Sequence, residues 1–210
     1  MVVIVNVVMM VYNKYGLVFV AIPKCLTTSI HQTLQTNSDS HQDGHAHYSV
    51  STLIEMYGNS LLSNYLSFTI VRNPYDRIWS AWKHLSLEDQ YIGELDMVDR
   101  FRNFVKEELP LQFSEHVRKF DHYKPQVDYI YAMRRHCMVD KIIRFENLNN
   151  EWESFRLWYR NNTSGDVELP NSIGISNQTV KIKEDPYDDE SREIIKRFYK
   201  YDFKLLGYDE

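Results

Sequence analysis

The sequence predicts an α/β domain with a central, mostly parallel sheet flanked by helices. Short apolar runs rich in β-branched residues alternate along the chain with segments whose apolar residues repeat at helical spacing. No repeat, low-complexity tract or proline-rich linker interrupts the pattern, so we expect residues 1–210 to form a single domain. The candidate strands are Val2–Val11, Leu17–Ile22, Leu66–Val71 and Lys141–Phe145.

The first two strands are expected to pair, because Asn13 and Gly16 mark a turn between them. The N-terminal run lacks the positively charged opening and the cleavage site of a signal peptide, and Asn6 interrupts it. It is also too short to span a bilayer. We therefore interpret it as a strand and expect a cytoplasmic protein without membrane partners.

Five segments carry the helical repeat of apolar residues. Asn73 is expected to cap one of them, with Pro74 at its first position. The last has acidic residues at its start and basic residues near its end, which suits the helix dipole. The segments are Ile30–Leu34, Val50–Tyr57, Pro74–Leu85, Met97–Leu109 and the stretch around Ile194–Phe198.

Composition excludes several classes of protein. The net charge of −5 argues against a general nucleic-acid binder, although it leaves room for a local basic pocket. Two cysteines, Cys25 and Cys137, are too few for a disulfide scaffold and fit a reducing compartment.

A candidate phosphate-binding loop follows the strand Leu17–Ile22. Lys24 lies in a tight loop that leads into a helix, where backbone N–H groups can face an anion. The loop differs from a Walker A motif, because its lysine comes first and it contains no glycine. Further donors are expected from the residues after the lysine, namely Cys25, Leu26, Thr27, Thr28 and Ser29.

A candidate arginine site follows the strand Leu66–Val71. Arg72 is expected at the carboxyl end of this strand, and Ser80 lies about two turns along the next helix. The planar guanidinium contacts phosphate oxygens at two points, so we expect Arg72 and Ser80 to bind a phosphate. We interpret Asp76 and Arg77 as a local ion pair that holds the turn.

Together these two segments resemble the sulfotransferase superfamily, especially its carbohydrate branch. Ile22-Pro-Lys-Cys-Leu-Thr-Thr-Ser-Ile30 is similar to the family's 5'-phosphosulfate loop, and Phe68–Trp82 is similar to its 3'-phosphate motif. His122-Tyr-Lys-Pro-Gln126 and Ile142-Ile-Arg-Phe-Glu-Asn-Leu148 are lesser matches. Leu26 departs from the pattern, since many relatives carry a small residue there.

The resemblance implies a P-loop-like sulfotransferase fold and 3'-phosphoadenosine 5'-phosphosulfate (PAPS) as donor, without a metal. It implies that Lys24 contacts the phosphosulfate and stabilises the leaving phosphate. Lys181 is a candidate contact to the 3'-phosphate, with Lys183 as its alternative, but a solvated lysine pair is the favoured interpretation. His122 is expected either near the acceptor or in a structural role. The implied acceptor is a glycan hydroxyl.

The general base is expected among histidines of the segment Asp43–Tyr48. Histidine suits the task because its ordinary pKa lies close to working pH. The resemblance favours His45, with His47 second; both could instead be loop histidines. A zinc site that includes His41 lacks a partner cysteine or carboxylate at a recognisable spacing.

Three alternatives stay open at this point. A nucleotide or small-molecule kinase shares the architecture, but it would normally need magnesium. A non-catalytic relative would bind the nucleotide without turnover, and Leu26 is its best support. A sulfotransferase could also act on a peptide tyrosine or a small phenol.

Overall fold

The computed structural model describes residues 11–35, 47–58, 60–86, 94–114, 120–174 and 184–209. The chain forms two compact units. The first comprises Met1–Val71 and Tyr129–Ser176, and the second comprises Arg72–Asp128 and Asn177–Glu210.

Strands and helices follow one another in the order that an α/β fold requires. The strands are β1 (Val11–Tyr12), β2 (Leu17–Val20), β3 (Leu66–Val71), β4 (Tyr131–Ala132), β5 (His136–Cys137) and β6 (Lys141–Arg144). The α-helices are α1 (Thr27–Leu34), α2 (Val50–Tyr57), α3 (Ser60–Asn64), α4 (Pro74–Leu85), α5 (Glu94–Asn103), α6 (Val127–Ile130), α7 (Leu148–Asn161) and α8 (Asp189–Leu206).

The first unit is built on a four-stranded sheet with the order β1-β2-β3-β6. β1 pairs antiparallel with β2, whereas β2, β3 and β6 run parallel. Every residue of β2 is buried, as is usual for a strand of a parallel sheet covered on both faces. This mixed, mostly parallel sheet confirms the predicted fold class.

The predicted strand bounds agree closely with the structure. β3 has the bounds expected from the sequence, and β2 and β6 end slightly earlier than expected. The turn after β1 is a 3-10 turn, Asn13–Tyr15, closed by Gly16 in the left-handed region at φ 59°. Of the predicted N-terminal strand only Val11 lies among the described residues.

Helix α7 was not predicted, although its sequence carries the signal. Trp152 and Phe155 are buried against the sheet, and Phe155 lies 4.7 Å from the ring of Phe68 in β3. The Tyr159 hydroxyl donates to the carbonyl of Tyr15, 2.9 Å away. With Leu148, these side chains follow the i, i+4, i+7, i+11 pattern of one helix face.

Aromatic side chains form the core of the second unit. Trp79 and Trp82 of α4 stack at 5.4 Å, and Phe101 of α5 meets both rings edge-on. α4 begins as predicted, with the Asn73 side chain accepting from the N–H of Tyr75 and with Pro74 at the start.

The helix predicted over Met97–Leu109 changes its winding partway. α5 ends at Asn103, and a π-helical turn, Phe104–Glu108, and a 3-10 turn, Leu109–Phe113, follow. Pro110 lies in this last turn, where its missing N–H cannot continue an α-helix.

The start of α8 is anchored by side chains. Asp188 caps the helix in a reciprocal capping box with Ser191. Lys106 lies 2.8 Å from the Asp188 carboxylate and 2.9 Å from that of Glu190. Burial alone would raise the pKa of Asp188, but hydrogen bonds from Lys106 and Ser191 outweigh it and hold that pKa below its ordinary value.

Among the described helices, none is long and apolar enough to cross a membrane.

Replacing Asp188 with alanine should lower the free energy of unfolding by about 1 kcal/mol at neutral pH, because a helix cap is lost. The lowered pKa means that the carboxylate stabilises the fold fully above about pH 4 and progressively less as pH falls. Urea denaturation at pH 7 and pH 3 measures the difference. Asp189→Ala, one residue on and exposed, is the matched control. Equal losses at both pH values would contradict the expectation.

Candidate active site

The loop after β2 is a tight turn that places Lys24. The N–H of Cys25 donates to the carbonyl of Ile22 at 3.2 Å, which closes a four-residue turn. Pro23 occupies its second position and Lys24 its third, with φ 66°. A positive φ at the third position with proline before it is the pattern of a type II turn, whose third residue is usually glycine. Lys24 itself is half-buried.

Leu26 adopts a second left-handed conformation, at φ 61° and ψ 23°, immediately before α1. Its carbonyl accepts the first α-helical hydrogen bond, from the N–H of Ile30 at 2.9 Å. The N–H groups of the first turn therefore lie ahead of the helical ladder, and the leucine side chain has no oxygen to cap them. Such N–H groups are the donors that a phosphate accepts at a helix N-terminus.

The hydroxyl residues of this turn differ in their surroundings. The Thr27 hydroxyl donates to the carbonyl of Ile22 at 3.3 Å and so ties the helix to the loop. Thr28 is exposed, whereas Ser29 and Cys25 are buried. Thr28 is therefore the most accessible of the three hydroxyl groups expected to serve as donors.

His47 is held against the end of the strand that leads into this loop. Its Nδ1 lies 2.9 Å from the carbonyl oxygen of Ala21. A carbonyl oxygen only accepts, so Nδ1 carries the proton in this bond, and the neutral ring has its lone pair on Nε2. The other histidine favoured from the sequence, His45, lies outside the described residues, as do His41, Lys181 and Lys183.

In the second unit, Arg72 follows the last residue of β3 and is half-buried. Its backbone N–H donates to Oε1 of Gln126 at 2.9 Å, and Nε2 of Gln126 donates to its carbonyl at 2.8 Å. Ser80 lies on α4 and is 4% exposed.

Arg77 does not act as predicted. Its guanidinium is fully buried and donates to the carbonyl oxygens of His122 at 3.0 Å and Lys124 at 2.8 Å, instead of forming the expected ion pair with Asp76. Asp76 itself is exposed. The two carbonyls satisfy both terminal nitrogens of this buried guanidinium, whereas its Nε has no hydrogen-bond partner among the described residues.

The His122 ring stacks on the ring of His84, with centroids 5.3 Å apart. Sequence reasoning missed His84, and it also missed the bonds of Gln126 to Arg72. For Gln126 a signal existed, because the residue belongs to the segment His122–Gln126 that resembles the family. Among residues in the described ranges, no group of histidine, cysteine or carboxylate side chains could hold a metal ion.

The left-handed backbone of Leu26 can be tested by comparing two substitutions. Leu26→Gly should be more stable than Leu26→Ala by about 1 kcal/mol, because only alanine keeps the Cβ that is strained at positive φ. At the exposed helical position Gln32 the order should reverse, with Gln32→Ala the more stable. Urea denaturation of the four variants measures both differences. A Leu26→Ala variant as stable as Leu26→Gly would contradict the geometry.

No curated protein and no solved structure matches the chain. The model of the Sulfotransferase family matches residues 8–209, which is nearly the whole chain and includes both turns described above. The chain therefore belongs to the Sulfotransferase family, and it is an enzyme that uses PAPS as its sulfuryl donor.

Proposed function

We propose that this sulfotransferase transfers the sulfuryl group to a hydroxyl of a carbohydrate, with a histidine as general base. The observation that carries the proposal is the loop from Ile22 to Ser29. It places Lys24 just before a helix N-terminus, and His47 is hydrogen-bonded to Ala21, the residue that follows β2. The family match runs through both compact units, which supports one sulfotransferase domain over residues 1–210.

The donor's 5'-phosphosulfate is assigned to the loop. The Lys24 ammonium and the N–H groups at the start of α1 are positive, and they suit the oxygens of a phosphate and a sulfate. The accessible hydroxyl of Thr28 adds a donor. The two left-handed residues, Lys24 and Leu26, support a binding role, because such strained backbone is concentrated at functional sites.

The donor's 3'-phosphate is assigned to Arg72 and Ser80. The guanidinium offers two parallel N–H donors to phosphate oxygens, and the hydroxyl of Ser80 offers another. Gln126 holds the backbone of Arg72 at both its N–H and its carbonyl. This fixed backbone supports a binding role for Arg72, because a residue that contacts a phosphate at two points must be well aligned. Lys181 remains a proposed further contact.

The reaction forms a bond from the acceptor oxygen to sulfur and breaks the bond from sulfur to the bridging phosphate oxygen. Negative charge grows on that phosphate oxygen, and the Lys24 ammonium would stabilise it. The acceptor hydroxyl gives up its proton to a base as the new bond forms. 3'-Phosphoadenosine 5'-phosphate leaves as the second product.

His47 is the base that the structure supports best. Its Nδ1–H is committed to the Ala21 carbonyl, so the neutral ring presents Nε2 as the proton acceptor. The protonated ring keeps the same bond, so its orientation need not change during the transfer. His45, which the sequence favours, remains the alternative, and His122 remains a candidate on the acceptor side.

A carbohydrate acceptor rests on the resemblance of the two phosphate motifs to the carbohydrate branch. Aromatic rings suit the faces of sugars, and tyrosines are abundant in this chain.

The donor assignment predicts that 3'-phosphoadenosine 5'-phosphate binds the wild type without magnesium, with micromolar affinity. Arg72→Ala should weaken this binding by at least about tenfold, because a charge-assisted contact to the 3'-phosphate is lost. Isothermal titration calorimetry measures both affinities. Arg197→Ala, an exposed arginine of α8, is the control and should bind like the wild type. Absence of binding to the wild type would contradict the proposed function.

The base assignment predicts that His47→Ala lowers turnover by about 10²–10⁴-fold while the affinity for 3'-phosphoadenosine 5'-phosphate stays the same. Turnover is measured as nucleotide product formed from PAPS in the presence of desulfated glycosaminoglycan chains. His45→Ala is the matched variant. A loss confined to His45→Ala would assign the base to His45, and nucleotide binding without turnover in the wild type would indicate a non-catalytic relative.

A further inference from the structure

The side chain of Gln126 binds the backbone of Arg72 as a neighbouring strand would. Its Oε1 accepts from the Arg72 N–H at 2.9 Å, and its Nε2 donates to the Arg72 carbonyl at 2.8 Å. Gln126 is fully buried. Both main-chain polar groups of Arg72 are therefore satisfied by one amide, at the point where β3 has ended and α4 has not begun.

The buried carboxylate of Asp202 determines which way this amide faces. One oxygen of Asp202 accepts from the N–H of Gln126 at 2.9 Å and lies 3.4 Å from its Nε2. The other oxygen accepts from the N–H of Val127 at 3.0 Å. A flipped amide would point its oxygen at two acceptors, the Arg72 carbonyl and the Asp202 carboxylate, so the observed orientation is the one that can bind Arg72.

Further hydrogen bonds hold the residues that precede Gln126. Arg77 donates to the carbonyls of His122 and Lys124, and the Tyr199 hydroxyl donates to that of Tyr123 at 2.5 Å. Arg77 and Asp202 are both fully buried. Burial raises the pKa of the Asp202 carboxyl, while the charge of Arg77 and the N–H donors of Val127 and Gln126 oppose that rise.

These contacts form a continuous path from α8 to Arg72. Asp202 orients the Gln126 amide, the amide holds the Arg72 backbone, and the backbone sets the direction of the Cα–Cβ bond from which the arginine side chain extends. A fixed backbone matters for this side chain, because two-point binding of a phosphate tolerates little misalignment.

We propose that Gln126 is a positioning residue for the donor's 3'-phosphate, acting through the Arg72 backbone, with Asp202 as its anchor. The inference rests on the proposed function, in which Arg72 binds that phosphate. It goes further by proposing that two buried side chains, Gln126 and Asp202, contribute to binding of the 3'-phosphate although they do not contact the donor.

The test compares two nucleotides that differ in the 3'-phosphate. Gln126→Met should weaken binding of 3'-phosphoadenosine 5'-phosphate about tenfold or more, because the amide that aligns Arg72 is gone. Binding of adenosine 5'-monophosphate, which differs from that ligand only in lacking the 3'-phosphate, should change less than about threefold, since Arg72 has no partner on it. A purely structural role would weaken both ligands alike, and that result would overturn the inference.

A double-mutant cycle provides the second readout. In an Arg72→Ala background, Gln126→Met should cause little further loss of affinity for 3'-phosphoadenosine 5'-phosphate, because its effect passes through Arg72. Additive losses would overturn the inference. An Arg72→Ala variant with wild-type affinity would overturn it too, but through the failure of the donor assignment, which the single variant identifies.

A matched glutamine variant and a check of folding complete the test. Gln112→Met removes a glutamine that also binds a backbone N–H, that of Phe120 at 3.0 Å, and it should leave both affinities unchanged. Titrations are run in the cold, with the folded state checked by circular dichroism. Should Gln126→Met not fold, Gln126→Asn keeps a buried amide one methylene shorter and is judged by the same two ligands.

Discussion

Parallel pairing of β2 with β3 is the constraint on which the rest of the first unit depends. The two strands run in register from Leu17 opposite Leu66 to Val20 opposite Thr69. The buried Thr69 hydroxyl adds a bond to the Val20 carbonyl at 2.7 Å. Because parallel strands end at the same edge of a sheet, the loop with Lys24 begins at the edge where β3 also ends, and ligands of such sheets bind at this edge.

The loop that follows β2 has a strained backbone, as is common where a ligand binds. Lys24 and Leu26 both hold a left-handed backbone without being glycine, at a cost on the order of 1 kcal/mol each. The turn bond from Cys25 to Ile22 and the hydroxyl bond from Thr27 to Ile22 keep the loop in this shape. Leu26, where many relatives carry a small residue, therefore adds strain to the loop backbone. It does not prevent α1 from starting at the next residue.

Buried polar groups give the second unit its specific conformation. Arg77, Gln126 and Asp202 are each fully buried, which is costly unless their hydrogen bonds are complete. Their partners are mainly backbone groups between His122 and Val127. Apolar residues could fill the same volume, but they would leave those backbone groups unpaired. The network therefore stabilises one backbone conformation of the segment from His122 to Val127.

The sequence by itself determined the features that depend on neighbouring residues. The bounds of β3 and α2, the cap at Asn73 and the turn at Gly16 follow from local preferences, and the structure confirms them. The spacing of α7 was equally local and could have been found. The β4–β5 hairpin had no such signal, because its turn places Met133 and Arg134 at positive φ without a glycine or asparagine.

Only the tertiary structure decided how the candidate site residues are held. Asp202 lies 76 residues from Gln126 along the chain, and His47 lies 26 residues from the Ala21 carbonyl that sets its tautomer. Arg77 sits beside Asp76 in sequence, yet it binds a segment 45 residues away. A residue type shows which hydrogen bonds are possible, but the partner of a buried group is chosen by the fold, which must satisfy most such groups at once.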